Sequence, residues 1–209
     1  MAVLTLADIK KIISAISETM KVEEEELCRM DAEMGDGDLG ITMRKGWAAA
    51  AETAMTSDEA DLGKLLVKCG MKMSSAVPST MGTLMASGLM SGGKAVIGKD
   101  CLDIQGLSDF LHGFCDGIRL RGKSQPGDRT VLDSLWPAAE AVAKQPDISA
   151  AAAQVFVQAA EEGLEATKQM KPKFGKAVVF SEKSTGKIDQ GAYVGFLLIK
   201  NLANYIQTL

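Results

Sequence analysis

Apolar residues in this chain return every three to four positions, and that period decides what it can fold into. Leu6, Ile9, Ile12, Ile13, Ile16 and Met20 follow Thr5 and Asp8 at helical spacing, so one capped amphipathic helix is predicted from 6 to about 29. Comparable segments follow at 40–55, 58–76, 80–97, 104–122, 128–144, 148–170 and 190–208. Eight helices then account for most of the 209 residues. Composition agrees: 46% of residues are apolar but only 5% aromatic, so the core must come from Ala, Leu, Ile, Val and the 12 Met. That is a helical palette, without the β-branched and aromatic enrichment a large sheet needs. The chain predicts an all-α single domain over 1–209, long enough to bury one sizeable core.

Net charge is −4 with no basic block, which argues against nucleic acid or an anionic membrane as partner. Residues 1–11 lack the basic and apolar regions of a secretory signal, and no apolar run nears the roughly 18 residues of a membrane span. A cytoplasmic protein is expected. Cys28, Cys69, Cys101 and Cys115 are scattered and read as four buried thiols. His112 is the only histidine, which excludes a multi-His zinc site, and it falls off the apolar face of its helix. It reads as a partly exposed helix residue and not as a catalytic base.

Four loops differ from ordinary turns. Those at 35–40, 77–83, 122–128 and 171–189 concentrate Gly, Pro, hydroxyls and charge. A helical bundle whose loops alone carry polar chemistry points to a site at one end. In the first of these regions Asp31, Asp36 and Asp38 lie within eight positions, with glycines at 35, 37 and 40 that let the chain turn sharply. Three converging carboxylates repel one another, and a hard divalent cation relieves that repulsion. A turn is the simpler reading of Asp-Gly-Asp alone. An EF-hand does not fit, since counting from Asp31 puts Thr42 at the closing Glu position. An incomplete carboxylate shell suits Mg²⁺, which completes its octahedron with water and phosphate. Ser79, Thr80, Gly82 and Thr83 open a helix after Pro78, and their hydroxyls and free N–H groups could hold that phosphate or simply cap the helix. Neither a P-loop nor a Gly-x-Gly-x-x-Gly fingerprint is present.

With these residues in view, the chain resembles a known family. Asp31-Ala-Glu-Met-Gly-Asp-Gly-Asp-Leu-Gly40, Arg121 to Asp133, and Phe174-Gly-Lys-Ala with Gly186 to Ala192 resemble, in order and spacing, three signatures of the nucleotide-binding L subunit of dihydroxyacetone kinases, also found as the C-terminal domain of single-chain kinases. The resemblance implies a barrel of about eight antiparallel helices holding ADP or ATP at one end through two Mg²⁺ ions. It places Asp31, Asp36 and Asp38 on the metals and Thr80 on phosphate. Gly127, Asp128, Thr130 and Leu132 would border the adenine or ribose, and Asp189 and Gly191 would close the nucleotide. Lys176 stands where the family usually has a phosphate-facing Arg. Two further departures are Leu39 for the family's His and Val77-Pro-Ser-Thr-Met81 for its glycine-rich phosphate loop.

The implied function is phosphoryl transfer from Mg-nucleotide to dihydroxyacetone or a related short ketose, with Thr80 and Lys176 as the catalytic side chains. The ketose would sit on a separate kinase subunit, and a phosphohistidine protein of the phosphotransferase system would recharge ADP in place. A homodimer is equally compatible with the helix faces. The alternative is a non-catalytic nucleotide-binding regulator of the same fold.

Overall fold

In the computed structural model of the protein, Thr5 and Asp8 form the expected reciprocal cap, and α1 (Leu6–Val22) buries Ile9, Ile12, Ile13, Ile16 and Met20 along one face. The structure describes residues 2–179 and 184–209; positions 180–183, part of the polar loop expected at 171–189, lie outside that description. The single helix expected over 6–29 is two. The chain bends at Glu23 (φ −84°, ψ 2°), where the carboxylate accepts a hydrogen bond from the Tyr193 hydroxyl at 3.1 Å, and α2 (Glu24–Ala32) continues on a new axis.

Among the described residues seven further α-helices follow: α3 (Leu39–Thr56), α4 (Leu62–Ala76), α5 (Thr80–Ala95), α6 (Ile104–Gly122), α7 (Leu132–Ala143), α8 (Ala150–Ala166) and α9 (Gln190–Ile206). Three of these helices depart most from the spans the spacing predicts. Asp61, not Asp58, caps α4, accepting from the Lys64 N–H at 2.9 Å. Helix α7 begins at Leu132 and not at 128, because the residues before it fold into a hydrogen-bonded loop. Ser149 caps α8, which ends at Ala166 in a 3₁₀ turn (Thr167–Gln169).

Helix α1 packs on α3, each helix from α3 to α9 packs on the next, and α9 returns against α1. Eight helices thus close a ring, with α2 laid against α3. Ile12, Ile16, Trp47, Leu89, Phe114 and Ile199 face a small apolar cavity of about 70 Å³ inside it. The all-α expectation holds, apart from a two-stranded ribbon the periodicity did not predict: β1 (Leu4–Thr5) pairs antiparallel with β2 (Cys101–Leu102).

Helix ends alternate around the ring. The ends of α2, α4 and α6 and the starts of α3, α5, α7 and α9 border one cavity, while Thr5, Cys101 and Ile148 gather near the chain start. The up-and-down order is what short connections impose. No helix among the described residues is long and apolar enough to cross a membrane.

All four cysteines are free, but only Cys69 and Cys115 are buried, which corrects the expectation of four buried thiols. Cys28, within α2, and Cys101, on β2, are half-exposed. Burial pushes the Cys69 thiol up to about 12. His112 is half-exposed as expected, its Nδ1 2.9 Å from the Ser108 carbonyl oxygen one helical turn back.

Candidate functional site

The cavity bordered by those helix ends measures about 650 Å³. Its floor on one side is the aspartate loop. Asp31 ends α2 and is buried, whereas Asp36 and Asp38 are exposed; one carboxylate oxygen from each lies within 4.8 Å of the other two. Two glycines make this possible. A Cβ at position 35 would stand 2.4 Å from Asp31 Oδ1, and Gly37 adopts φ +75°, a left-handed conformation that disfavours side chains. Asp31 Oδ2 accepts from the N–H groups of Gly37 and Asp38 at 2.9 and 3.1 Å, which fixes the loop around it.

Asp38 occupies the N-cap of α3 yet makes no side-chain cap hydrogen bond. A residue type that normally caps has its carboxylate turned away from the helix, toward the other two aspartates. The Lys176 ammonium pairs with Asp36, holding that carboxyl below the usual carboxylate range and raising its own pKa. A cation therefore already answers the convergent charge. Three hard oxygen donors so placed, half open to solvent, fit a divalent ion that keeps water or phosphate in its remaining positions.

Across the cavity, α5 begins. Ser79 is its N-cap, accepting from the Gly82 N–H at 3.0 Å, and its carbonyl accepts from the Thr83 N–H at 2.9 Å. Capping thus uses two of the first-turn donors. The N–H groups of Thr80 and Met81 have no partner among the described residues, and they stand at the positive end of the helix with the Thr80 hydroxyl. The capping reading of this segment is met at Ser79, and the two remaining N–H groups are left over from it.

The wall opposite is made by the C-terminal segment, and sequence reasoning missed the residue that holds it. Arg129, buried and at φ +61°, donates to the carbonyls of Met170, Ser184 and Lys187 at 3.2, 2.9 and 2.9 Å. Its Nε lies 4.0 Å from Asp189 Oδ1. A non-glycine residue in the left-handed region costs about 1–2 kcal/mol, which those three bonds offset. Asp133 orders the turn beneath it, accepting from the Gly127 and Thr130 N–H groups at 2.5 and 2.6 Å. Lys173 and Lys187 tie the segment to Asp128 and Glu33.

Asp189 caps α9 through the Ala192 N–H at 2.9 Å and is only 6% exposed. Burial pushes its carboxyl up to about 6, against the lowering effect of that N–H and of Arg129. Gln190, the first residue of α9, also faces the cavity and donates to Asp31 Oδ1 at 3.3 Å.

Of the residues singled out in the sequence, the structure brings Asp31, Asp36, Asp38, Ser79, Thr80, Thr130, Lys176, Asp189 and Gly191 around one cavity. Gly82, Thr83, Gly127, Asp128 and Leu132 are not on it. Gly82 is packed beneath the Ser79 cap, and Leu132 is fully buried in the core. Asp128 turns inward, bonded to the Gln125 N–H and to Lys173. The Lys173 pair was not foreseeable from local sequence, since its partners are 45 positions apart.

A family model, the DAK2 domain, matches residues 33–204. The chain belongs to the DAK2 domain family. Over 186 residues, 89% of each chain, it is 31% identical to the ADP-binding subunit DhaL of PEP-dependent dihydroxyacetone kinase 1 from Listeria innocua. The corresponding Escherichia coli subunit is 26% identical over 91% of this chain and 92% of its own length. An L-erythrulose 1-kinase of Mycolicibacterium smegmatis is 31% identical over 95% of this chain, which spans only 35% of that protein. The dihydroxyacetone kinase of C. freundii superposes with a TM-score of 0.75 at 24% identity, covering 95% of this chain and 34% of that one. It shares the DAK2 fold, and it has also been solved with AMP-PNP and Mg²⁺ (TM-score 0.73).

Proposed function

We propose that this DAK2 protein is the ADP/ATP-binding subunit of a dihydroxyacetone-type kinase, passing a phosphoryl group to a short ketose held on a separate subunit. The observation that carries the reading is the cavity itself. Three convergent carboxylates, a free helix N-terminus and a flexible lysine face one cavity, complementary in charge to a metal-bound polyphosphate. The near full-length match to two ADP-binding kinase subunits supports it.

Asp31, Asp36 and Asp38 would hold Mg²⁺, one or two ions, whose contribution when bound is to neutralise phosphate charge. The Thr80 N–H and hydroxyl, with the Met81 N–H, would donate to phosphate oxygens. Lys176 would leave Asp36 for the transferred phosphoryl, a point charge where an arginine would give a fork. Thr130 and Gly191, which line the same cavity, would border the nucleoside. In the transfer, a ketose hydroxyl oxygen bonds to the γ-phosphorus, the bond to the β-phosphate oxygen breaks, and the hydroxyl proton passes to a base on the ketose-holding subunit.

A phosphohistidine protein would restore the γ-phosphate on retained ADP, as the PEP-dependent relatives' names suggest. These relatives are kinases or kinase subunits, so nothing favours the regulator. The test is direct. Denaturing the purified chain should release adenine nucleotide, and transfer to dihydroxyacetone should require both the ketose-holding subunit and the phosphohistidine donor. Absence of nucleotide binding with Mg²⁺ present would overturn the reading.

A further inference from the structure

Helix α9 meets the aspartate loop through one side chain. Gln190 Nε2 donates to Asp31 Oδ1 across 159 positions of sequence, and its Oε1 is buried without a hydrogen-bond partner among the described residues. The orientation of the amide follows from chemistry, because an ionised carboxylate accepts and does not donate. Asp31 is thereby held at both oxygens, Oδ2 by two backbone N–H groups and Oδ1 by Gln190. A buried amide oxygen with nothing to accept from costs free energy. Here it belongs to a residue on the cavity wall, beside the most buried of the three aspartates.

We propose that Gln190 is a positioning residue for the cation site. Its Nε2 sets the rotation of the Asp31 carboxylate, and its Oε1 accepts from a water in the shell of the bound divalent cation. Outer-shell partners of this kind orient the ligands that touch the ion. The neighbouring cap makes the arm rigid. Asp189 accepts from the Ala192 N–H, and its own N–H donates to Thr167 Oγ1 at 2.9 Å, so the first turn of α9 is anchored before Gln190 reaches across.

The inference rests on the cation reading of the aspartates, and the experiment separates the two. Mn²⁺ serves as a spectroscopic substitute, its affinity and bound-water relaxation measured with saturating ADP in wild type, Gln190→Leu and Asp36→Asn. Gln190→Leu keeps much of the volume and removes both hydrogen bonds. It should weaken Mn²⁺ binding about tenfold and alter the water-proton relaxation of the bound ion, while the metal-free melting temperature stays level or rises. Wild-type affinity and relaxation in Gln190→Leu, with binding lost in Asp36→Asn, would overturn the role of Gln190 alone. Unchanged binding in Asp36→Asn as well would overturn the cation site and this inference together.

Discussion

Replacing Arg129 by Met removes the donor that three carbonyls of the C-terminal segment share. The bond to Ser184 is fully buried, and those to Met170 and Lys187 are partly so. A buried charged donor contributes about 1.5–3 kcal/mol and a half-solvated one about 1 kcal/mol, so the three together come to about 4 kcal/mol. Most of that loss falls on the segment Arg129 grips and not on the ring of helices, so local opening should report it. At about 1.4 kcal/mol per factor of ten, amide protection there should fall by up to about a thousandfold. Hydrogen exchange read by mass spectrometry on peptides covering 170–179 and 184–189 measures this. Arg129→Lys should fall between wild type and Met, because an ammonium cannot fork across three acceptors. Lys176 lies on the same segment, so affinity for MgADP should drop in parallel. Folded Arg129→Met with unchanged exchange in both peptides would refute the clamp.

Four further outcomes follow from the site. Asp36→Asn and Asp38→Asn should each abolish MgADP binding by calorimetry while leaving the helical circular dichroism intact. Lys176→Met should weaken MgADP binding about tenfold and Lys176→Arg should bind at least as well as wild type, because charge directed at phosphate is what counts. Thr80→Val should cost about 1 kcal/mol of nucleotide affinity with no loss of melting temperature, since one donor disappears and shape is kept. The Asp189 carboxyl, raised to about 6, contributes stability fully present below about pH 4 and lost as pH rises through 6. The stability of wild type relative to Asp189→Asn, whose amide oxygen still caps α9, should therefore decline between pH 4.5 and 6 and level off above 7. A rising difference in thermal melts would contradict that burial.

Legibility in the sequence tracked how local each interaction is. The Thr5–Asp8 cap and the apolar face of α1 are set within a few positions, and both were readable. So was the aspartate loop, because three carboxylates and three glycines in ten positions can hardly avoid a sharp turn that gathers negative charge. The break at Glu23 was hidden, since a run of four glutamates keeps helical propensity and the partner that meets the bend, Tyr193, is 170 positions away. Asp128 looked like a site residue by its loop and charge; its inward turn is set by Lys173. Arg129 and Gln190 gave no signal at all, as each acts on groups between 41 and 159 positions away in the sequence.

The docking of α9 gives the aspartate cluster an unusual place in the fold. Asp31 and Asp36 are met from across the cavity by Gln190 and Lys176, which stand 159 and 140 positions further along the sequence. The seam between α9 and the opening helices is where the ring is joined. Until the seam shuts, the three aspartates are a cluster of negative charge without those partners. On the proposed function, a metal nucleotide would bind only the closed ring, so each bound molecule would hold the seam between α9 and the opening helices together and draw the open ring toward closure by mass action.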